Sequence, residues 1–225
     1  MQTPISKIFD DVYFNSHDAI AETQYVFIEG NNLYQRFLTH NNESFSIGET
    51  GFGSGLNFIL ARHCFNQFKE NNPNHILKTL QFYSVEKYPL IINDMQQIHK
   101  QIIKCPALQE LATQLQNSWS NSYLQFNNVE LNILFADINE FPSYLKNQKA
   151  QIDAWFFDGF SPAKNPDMWS ELLFKQLLTV TNKNGTFSTF TAAGYVKRNL
   201  INAGFSVYKQ KGYGKKREML IGKKS

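Results

Sequence analysis

The sequence predicts an α/β domain built on a mostly parallel sheet, in which strands and helices alternate along the chain. Residues 45–57 read as a buried strand, a glycine-rich turn and the start of a helix packed on a sheet. Further apolar strands and helical patterns alternate through the rest of the chain, as in α/β folds. The 225 residues are enough for one domain that buries roughly 70% of the surface of the unfolded chain.

The glycine-rich turn, Glu49 to Gly55, carries the clearest chemical signal. Its glycines allow a ligand to approach the backbone, and the helix that follows offers unpaired N–H groups. The spacing G-x-G-x-G differs from the G-x-G-x-x-G of dinucleotide sites. Glu49 beside the turn disfavours a pyrophosphate but favours the ammonium and sulfonium groups of S-adenosylmethionine (SAM). A tight strand–helix turn without a ligand is the alternative interpretation.

Acidic residues end three successive predicted strands: Glu49, then Glu86 after strand 80–85, then Asp137 at the end of strand 129–137. Ligands of parallel sheets bind outside the carboxyl ends of the strands, so we expect these acids to share one site. Glu86 is predicted to hold the ribose hydroxyls, and Asp137 the adenine amino group with Ile138 beside the ring. The predicted SAM-binding residues are Glu49, Thr50, Gly51, Phe52, Gly53, Gly55, Leu56, Asn57, Glu86, Lys87, Asp137, Ile138 and Asp158.

Residues 1–44 are predicted to form a small extension over the cofactor site, before the main domain at 45–225. Tyr13-Phe14 and Tyr25 to Ile28 read as a hairpin. A helix over Leu33 to Thr39 follows, capped by Asn32. The two aromatic residues at 13 and 14 are predicted either to contact substrate or to belong to the core.

The remaining elements complete a Rossmann-like order. Helices are predicted from Leu56, over 90–103, over 108–119, after a cap at Asp167 and over 194–202, with strands at 152–157, 186–191, 205–208 and 219–221. A closing hairpin makes one strand antiparallel. The expected fold is therefore that of class I SAM-dependent methyltransferases, a mostly parallel seven-stranded sheet with one antiparallel strand.

The segment 158–166 reads as a stiff, exposed active-site loop. It follows an apolar strand and combines Asp158, Gly159 and Phe160 with two prolines, Pro162 and Pro166. An acid and an aromatic residue at the end of a central strand are suitably placed to meet a substrate. The alternatives are that Asp158 only stabilises the loop and that Phe160 belongs to the core.

Charge is distributed unevenly, although the net formal charge is only +3. From Val196 to the end there are nine Lys or Arg residues and one acid, Glu218, whereas the rest of the chain has 13 bases and 18 acids. This asymmetry predicts a polyanionic partner at one face. A solvated basic tail is the alternative.

Other classes of protein are disfavoured by the sequence. No apolar run approaches the roughly 20 residues of a membrane span, and the N-terminus lacks the pattern of a signal peptide. The two cysteines, Cys64 and Cys105, are isolated, which fits a reducing cytoplasm. The five histidines lack metal-ligand spacing, so we predict no metal.

Three segments together resemble the methyltransferase domain of the MnmC family. They are GETGFGSGLNF (48–58), DAWFFDGFSPAKNPDMW (153–169) and FTAAGYVKRNLINAGF with KGYGKKREMLIG (190–222), and FDDVYF (9–14) also matches. The resemblance implies methyl transfer from SAM to the exocyclic amine of 5-aminomethyl-(2-thio)uridine at the wobble position of tRNA. The product would be 5-methylaminomethyl-2-thiouridine. In fused members of the family, an FAD-dependent oxidase domain makes the amine. No second dinucleotide motif occurs in this sequence, so the oxidase half is expected to be absent from it. An FAD-dependent oxidase domain, fused or separate, is expected as a partner.

Within that resemblance, Asp158 is predicted to hydrogen-bond and orient the amine, and Phe160 to pack on the flipped base or the methyl donor. Basic residues would hold phosphates of the anticodon loop, whose unpaired bases can be splayed into a pocket. The predicted substrate-binding residues are Tyr13, Phe14, Pro162, Lys164, Asn165, Lys197, Arg198, Lys215, Lys216 and Arg217.

Three rival functions remain open. The first is a SAM-dependent methyltransferase that acts on a protein or small-molecule amine. The second is a non-catalytic RNA-binding partner with a vestigial SAM pocket, and the third is a nicotinamide oxidoreductase. Four acids, Glu49, Glu86, Asp137 and Asp158, disfavour the second, and the glycine spacing disfavours the third.

Overall fold

A computed structural model describes residues 5–6, 11–12, 18–119 and 121–224. Its main feature is one eight-stranded sheet with helices on both faces. The strands are β1 (Ile5–Ser6), β2 (Asp11–Val12), β3 (Ser44–Glu49), β4 (Thr79–Val85), β5 (Tyr123–Phe126), β6 (Val129–Leu134), β7 (Ile152–Phe156), β8 (Thr181–Thr189), β9 (Phe205–Lys211) and β10 (Glu218–Lys224). The helices are α1 (Ala19–Thr23), α2 (Leu33–Leu38), α3 (Leu56–Asn71), α4 (Ile92–Ile102), α5 (Pro106–Ser118), α6 (Phe141–Asn147), α7 (Glu171–Thr179) and α8 (Gly194–Ala203).

The sheet has the order β5-β6-β4-β3-β7-β8-β10-β9, and the short pair β1-β2 stands apart from it. Neighbouring strands from β6 to β8 run parallel, whereas β10 is antiparallel to both β8 and β9. This arrangement confirms the predicted fold class. The eighth strand, β5, was not predicted; it pairs antiparallel with β6 through a tight turn and forms the sheet edge.

Two apolar cores, one on each face of the sheet, hold the helices. On one face, α3 and α5 pack with the N-terminal helices around Phe45, Phe58 and Phe82, all fully buried. On the other, α6, α7 and α8 pack around Trp155 and Phe157. Strands buried on both faces explain the nearly continuous apolar runs in the sequence.

The N-terminal helices correct the predicted hairpin. The run Tyr25 to Ile28 is not a strand; Gln24–Glu29 continues α1 as a π-helical segment. β-branched and aromatic residues favour strands only weakly, and here packing decides: Val26, Phe27 and Ile28 are all buried, and the rings of Phe27 and Phe156 lie 5.2 Å apart. Residues Tyr13 and Phe14 lie outside the described residues.

Buried polar contacts tie this N-terminal region to the sheet. The Asn31 side chain is 1% exposed, and its Nδ2 donates to the Trp155 carbonyl at 3.2 Å and to Ser188 Oγ at 2.6 Å. Arg36 donates to the Asp153 carbonyl at 2.9 Å. The region between residues 18 and 44 is therefore packed on β7 and β8.

Two predicted helix caps differ from the structure. α2 was predicted over Leu33 to Thr39 and is confirmed to within one residue, but Asn32 at its start has a left-handed backbone and no capping side-chain bond. Asp167 lies in the short 3₁₀ turn Pro166–Trp169 instead of capping α7. Ser170 caps α7, since its Oγ accepts from the Leu173 N–H.

Among the described residues, no helix has both the length and the apolar character that crossing a membrane requires.

Candidate active site

A large cleft of about 1040 Å³ opens at the carboxyl ends of the central strands. Small-molecule pockets commonly measure about 300–1,000 Å³, so this cleft can hold a cofactor and part of a second substrate. Of the predicted SAM-binding residues, eleven line it: Thr50, Gly51, Phe52, Gly53, Leu56, Asn57, Glu86, Lys87, Asp137, Ile138 and Asp158.

The glycine turn forms one wall of the cleft. Gly53 and Gly55 have φ values of +54° and +76°, which favour glycine. A Cβ atom at Gly53 would meet no atom within 4 Å, so there is open space for a ligand beside this backbone. Gly55 does not line the cleft, because a Cβ there would come within 2.8 Å of both Leu115 and Phe52. Its role is close packing of the turn against α5.

Glu86 ties the end of β4 to the glycine turn. Its Oε2 accepts from the Gly53 N–H at 2.9 Å, and its Oε1 accepts from the Tyr88 N–H at 2.8 Å. Burial raises the pKa of Glu86, and these backbone donors oppose that rise. Each oxygen keeps a further acceptor position, which is what a pair of ribose hydroxyls requires.

Asp137 lies beyond the end of β6 and is already engaged with protein donors. Its Oδ2 is 2.8 Å from Lys87 Nζ, and its Oδ1 accepts from the N–H of Asn139 at 3.0 Å. The hydrogen bond from Lys87 lowers the pKa of Asp137, so this carboxylate is ionised at neutral pH. Ile138 lies beside it on the cleft wall.

Glu49 lies beneath the cleft and does not line it, although it was predicted to contact SAM. The side chain is fully buried. Its Oε2 accepts from Ser84 Oγ at 2.7 Å, and its Oε1 accepts from Asn57 Nδ2 at 2.8 Å. Burial raises the pKa of Glu49 to about 8, and the nearby charge of Asp158 adds to the rise.

Asp158 follows β7 and faces the cleft. Its Oδ2 accepts from Asn57 Nδ2 at 2.7 Å, and its Oδ1 accepts from the Gly159 N–H at 2.8 Å. Thr50 Oγ1 donates to the Asp158 carbonyl at 2.6 Å, which fixes the backbone. Burial raises the pKa of Asp158 to about 6, so at neutral pH it is a carboxylate that can accept a proton more readily than an exposed aspartate.

Phe160, predicted beside Asp158 as a catalytic residue, lines the cleft. The predicted substrate-binding residues that the structure describes divide into two groups. Those that line the cleft are Pro162, Asn165, Lys216 and Arg217. Those that lie outside its lining are Lys164, Lys197, Arg198 and Lys215. The structure therefore brings two basic residues of the C-terminal turn into the same cleft as Asp158.

The N-terminal extension was expected over the cofactor site, but sequence reasoning named no cleft residue between 18 and 44; α1 and the π-helical segment supply Glu22, Thr23, Val26 and Phe27. Glu22 forms an ion pair with Lys216, in which Oε1 and Nζ lie 2.6 Å apart. This pair joins α1 to the C-terminal turn across the cleft. No local motif marks these residues as part of a site, and the segment 25–28 was expected to form a hairpin strand.

Phe190 was also missed, although it ends the predicted strand 186–191. It lines the cleft, and Lys216 Nζ lies 5.0 Å from the centre of its ring. The described residues contain no group of three or more His, Cys, Asp or Glu side chains placed to hold a metal ion.

The fold and this cleft define a SAM-dependent methyltransferase: a mostly parallel sheet, a glycine turn with open space at Gly53, and acids at the ends of β4, β6 and β7. A profile of the family described as S-adenosyl-L-methionine-dependent methyltransferase matches residues 94–225, more than half of the chain. The chain belongs to this family, and SAM is its cofactor.

Solved structures agree on the fold. The chain is similar to MnmC2 from Aquifex aeolicus, with a TM-score of 0.78 and 23% identity over 97% of this chain and 66% of that one. It is also similar to a class I SAM-dependent methyltransferase from Listeria monocytogenes, with a TM-score of 0.51 and 12% identity over 99% of this chain and 63% of that one. The chain thus spans just under two thirds of the length of either protein. The resemblance to the MnmC methyltransferase domain is confirmed at the level of the fold.

Proposed function

We propose that this chain methylates the exocyclic amine of 5-aminomethyl-(2-thio)uridine at the wobble position of tRNA in the cytoplasm, which yields 5-methylaminomethyl-2-thiouridine. The observation that carries the proposal is one cleft shared by an acid and a basic rim. Asp158 lies within it, and Lys216 and Arg217 line its mouth. The substrate would carry a cationic amine on a polyanionic RNA chain. Its site therefore requires an acid near the amine and basic residues near the phosphates.

SAM, when bound, supplies a methyl group carried on a sulfonium. Thr50, Gly53 and Glu86 would hold it beside the glycine turn, with Asp137 and Ile138 towards the adenine. The protein must then place the acceptor nitrogen in line, at about 3–3.5 Å. The segment that follows β7 supplies Asp158 and Phe160 for this purpose.

Asp158 has the properties that an amine acceptor requires. An alkyl amine is largely protonated at neutral pH and must lose a proton before it attacks. The Asp158 carboxylate is held by Asn57 and Gly159, and it retains free acceptor positions. It would orient the amine through a hydrogen bond and receive or relay the departing proton.

The nucleic-acid part of the proposal rests on the basic C-terminal turn and on the motif resemblance. Lys216 and Arg217 at the cleft would contact phosphates next to the target base, and Lys197, Arg198 and Lys215 would extend that contact outside the cleft. Selectivity among tRNA positions would come mainly from the aminomethyl group, because phosphate contacts carry no sequence information.

The test is to incubate the protein with methyl-labelled SAM and tRNA that lacks the terminal methyl, and then to identify the labelled nucleoside by mass spectrometry. We expect label only in 5-methylaminomethyl-2-thiouridine. tRNA that already carries the methyl is the matched control and should take up no label. Label in a peptide or a free amine but none in tRNA would overturn the proposal in favour of another amine methyltransferase.

A further inference from the structure

One side-chain amide connects the two buried carboxylates of the site. Asn57, in the first turn of α3, is 6% exposed. Its Nδ2 lies 2.8 Å from Glu49 Oε1 and 2.7 Å from Asp158 Oδ2. An amide NH₂ has two protons, and these two carboxylates engage both. These two hydrogen bonds from Nδ2 therefore fix the orientation of the Asn57 amide.

Glu49 has no exposed surface from which to contact a ligand directly. It is fully buried, does not line the cleft, and both of its oxygens accept bonds from protein donors, Ser84 and Asn57. A buried ionisable group is costly unless it is satisfied in this way. Its structural effect is to anchor the far side of the Asn57 amide.

Of the two carboxyl groups that contact Asn57, that of Asp158 is the one that lines the cleft. With Oδ2 on Asn57 and Oδ1 on the Gly159 N–H, its carboxylate has one protein bond on each oxygen. If Asn57 lost its anchor, its amide could rotate and turn the carbonyl oxygen towards Asp158. The two oxygens would repel each other and displace the carboxylate, and small displacements of a reacting group can reduce rates about 100-fold.

We propose that Glu49 is a positioning residue, which acts through Asn57 to hold the Asp158 carboxylate in the cleft, and that it does not bind SAM. A series of hydrogen bonds runs from Ser84 on β4 through Glu49 on β3 and Asn57 on α3 to Asp158 after β7. The inference rests on the proposed function for the role of Asp158 in catalysis, but the contacts themselves do not depend on the identity of the acceptor.

The kinetic experiment compares Glu49→Leu, Glu49→Gln and Asn57→Ala with wild type. Glu49→Leu and Asn57→Ala should each lower kcat on tRNA at least tenfold, and in Glu49→Leu the Kd for SAM should stay within about threefold. Glutamine can still accept from Asn57 and donate to Ser84, so Glu49→Gln should restore kcat to within about threefold of wild type. The matched control is Glu43→Gln, an exposed glutamate just before β3.

A second measurement needs no acceptor: the pH titration of the Asp158 carboxyl carbon by NMR in the protein alone. The Asn57 hydrogen bond lowers the pKa of Asp158, so its loss in Glu49→Leu and Asn57→Ala should raise the midpoint above about 6. Glu49→Gln should leave the midpoint in place. This readout separates failure of the inference from failure of the tRNA assay, and it applies to any variant that shows a native circular dichroism spectrum.

Two results would overturn the inference. The first is a tenfold or greater rise in the Kd for SAM in Glu49→Gln, which would make Glu49 a charge partner of SAM. The second is a wild-type midpoint for Asp158 in both Glu49→Leu and Asn57→Ala. Asn57→Ala tests the contact between Asn57 and Asp158, and if Glu49→Leu does not fold, Glu49→Ala takes its place in both measurements.

Discussion

At the scale of single residues, the acids of the cleft differ because their surroundings differ. Glu49 has lost all contact with solvent, and its pKa is raised to about 8. Asp137 has Lys87 beside it, and its pKa is lowered. Asp158 is intermediate, with a pKa raised to about 6. Asp158 combines access to the cleft with a pKa close to working pH, which makes it a good candidate for proton transfer.

Asp158→Ala should separate binding from turnover. We expect the Kd for SAM to stay within about threefold, because the glycine turn, Glu86 and Asp137 are unchanged. Turnover should fall by about 10²–10⁴, the usual contribution of a general acid or base. Calorimetric titration with SAM and single-turnover assays on tRNA measure the two quantities.

The control for that comparison is Asp94→Ala, which removes an exposed aspartate from α4 outside the cleft lining. It should leave both the affinity for SAM and the turnover unchanged. Wild-type turnover in Asp158→Ala would assign the amine to another residue.

Glu49 should also make stability depend on pH. Its pKa is raised from 4.5 to about 8 on folding, so over that interval the folded protein holds a proton that the unfolded chain has released. The contribution of Glu49 to the free energy of unfolding should therefore fall as pH rises from about 4.5 to about 8, by roughly 1.4 kcal/mol for each pH unit. Glu49→Gln removes this titration.

Urea denaturation at several pH values between 4 and 8 measures the effect. The profile of Glu49→Gln should be flatter than that of wild type, and the difference should disappear below pH 4.5. Burial also raises the pKa values of Glu86 and Asp158, so some slope of the same sign should remain. Parallel profiles for the two proteins would contradict the prediction.

At the scale of elements, α4 and α5 support the glycine turn from behind. His99 on α4 is 3% exposed and lies 2.8 Å from the Ser54 carbonyl through Nε2. A carbonyl only accepts, so Nε2 carries the proton, and Nδ1 accepts from Gln116 Nε2 at 2.8 Å. Phe52 stacks on Trp119, with ring centres 5.3 Å apart. The glycine turn, which we propose contacts SAM, is therefore held by residues that lie far later in the chain.

His99→Ala should weaken SAM binding without direct contact between this residue and SAM. The Ser54 carbonyl would lose its buried donor and the turn would loosen, and we expect the Kd to rise about tenfold, which corresponds to about 1.4 kcal/mol. Burial lowers the pKa of His99, so the contribution of His99 to stability should depend on pH with the sign opposite to that of Glu49. That contribution should fall as pH drops below about 6.5, because the unfolded chain then binds a proton that the folded protein does not bind.

Calorimetry gives the Kd for SAM in wild type, in His99→Ala and in the control His63→Ala, which removes a half-buried histidine of α3. Denaturation between pH 5 and 7 tests the contribution of His99: the free energy of unfolding of wild type minus that of His99→Ala should become smaller as pH falls. An unchanged affinity in His99→Ala would show that the turn keeps its shape without α4.

At the scale of the whole molecule, the basic residues and the acidic residues of the cleft come from different parts of the fold. The C-terminal hairpin carries a rim of cations at the cleft mouth, whereas the carboxylates lie at the ends of the parallel strands. Lys216 is paired with Glu22, and Lys209 with Glu218, both at 2.6 Å. Exposed ion pairs of this kind contribute little to stability, so their exchange for phosphate contacts would cost little.

Neutralising Lys215, Lys216 and Arg217 together should weaken tRNA binding and flatten its dependence on salt. Each lost phosphate contact lowers the slope of log K against log salt by about 0.7–0.9. We expect a total change of about 2, since Lys216 must first leave Glu22. Binding measured at four salt concentrations gives the slope.

The matched control neutralises Lys146, Lys149 and Lys183. These residues lie near the amino ends of β7 and β8, away from the carboxyl ends at which the cleft opens. This variant has the same net charge as the first, so it removes any effect of total charge. Equal slopes for the two variants would remove the C-terminal turn from the tRNA interface.

Much of this protein follows from local sequence, and the rest depends on long-range contacts. Apolar periodicity determines the parallel strands, the glycines at 51, 53 and 55 determine the turn, and acids after strands mark the ligand edge. These signals are local because backbone geometry and side-chain alternation are local. Tertiary packing alone decided that Tyr25 to Ile28 is helical, that α1 walls the cleft, and that Glu49 lies inside while Asp158 faces out. Burial and hydrogen-bond partners set those outcomes, and residues up to a hundred or more positions away provide them.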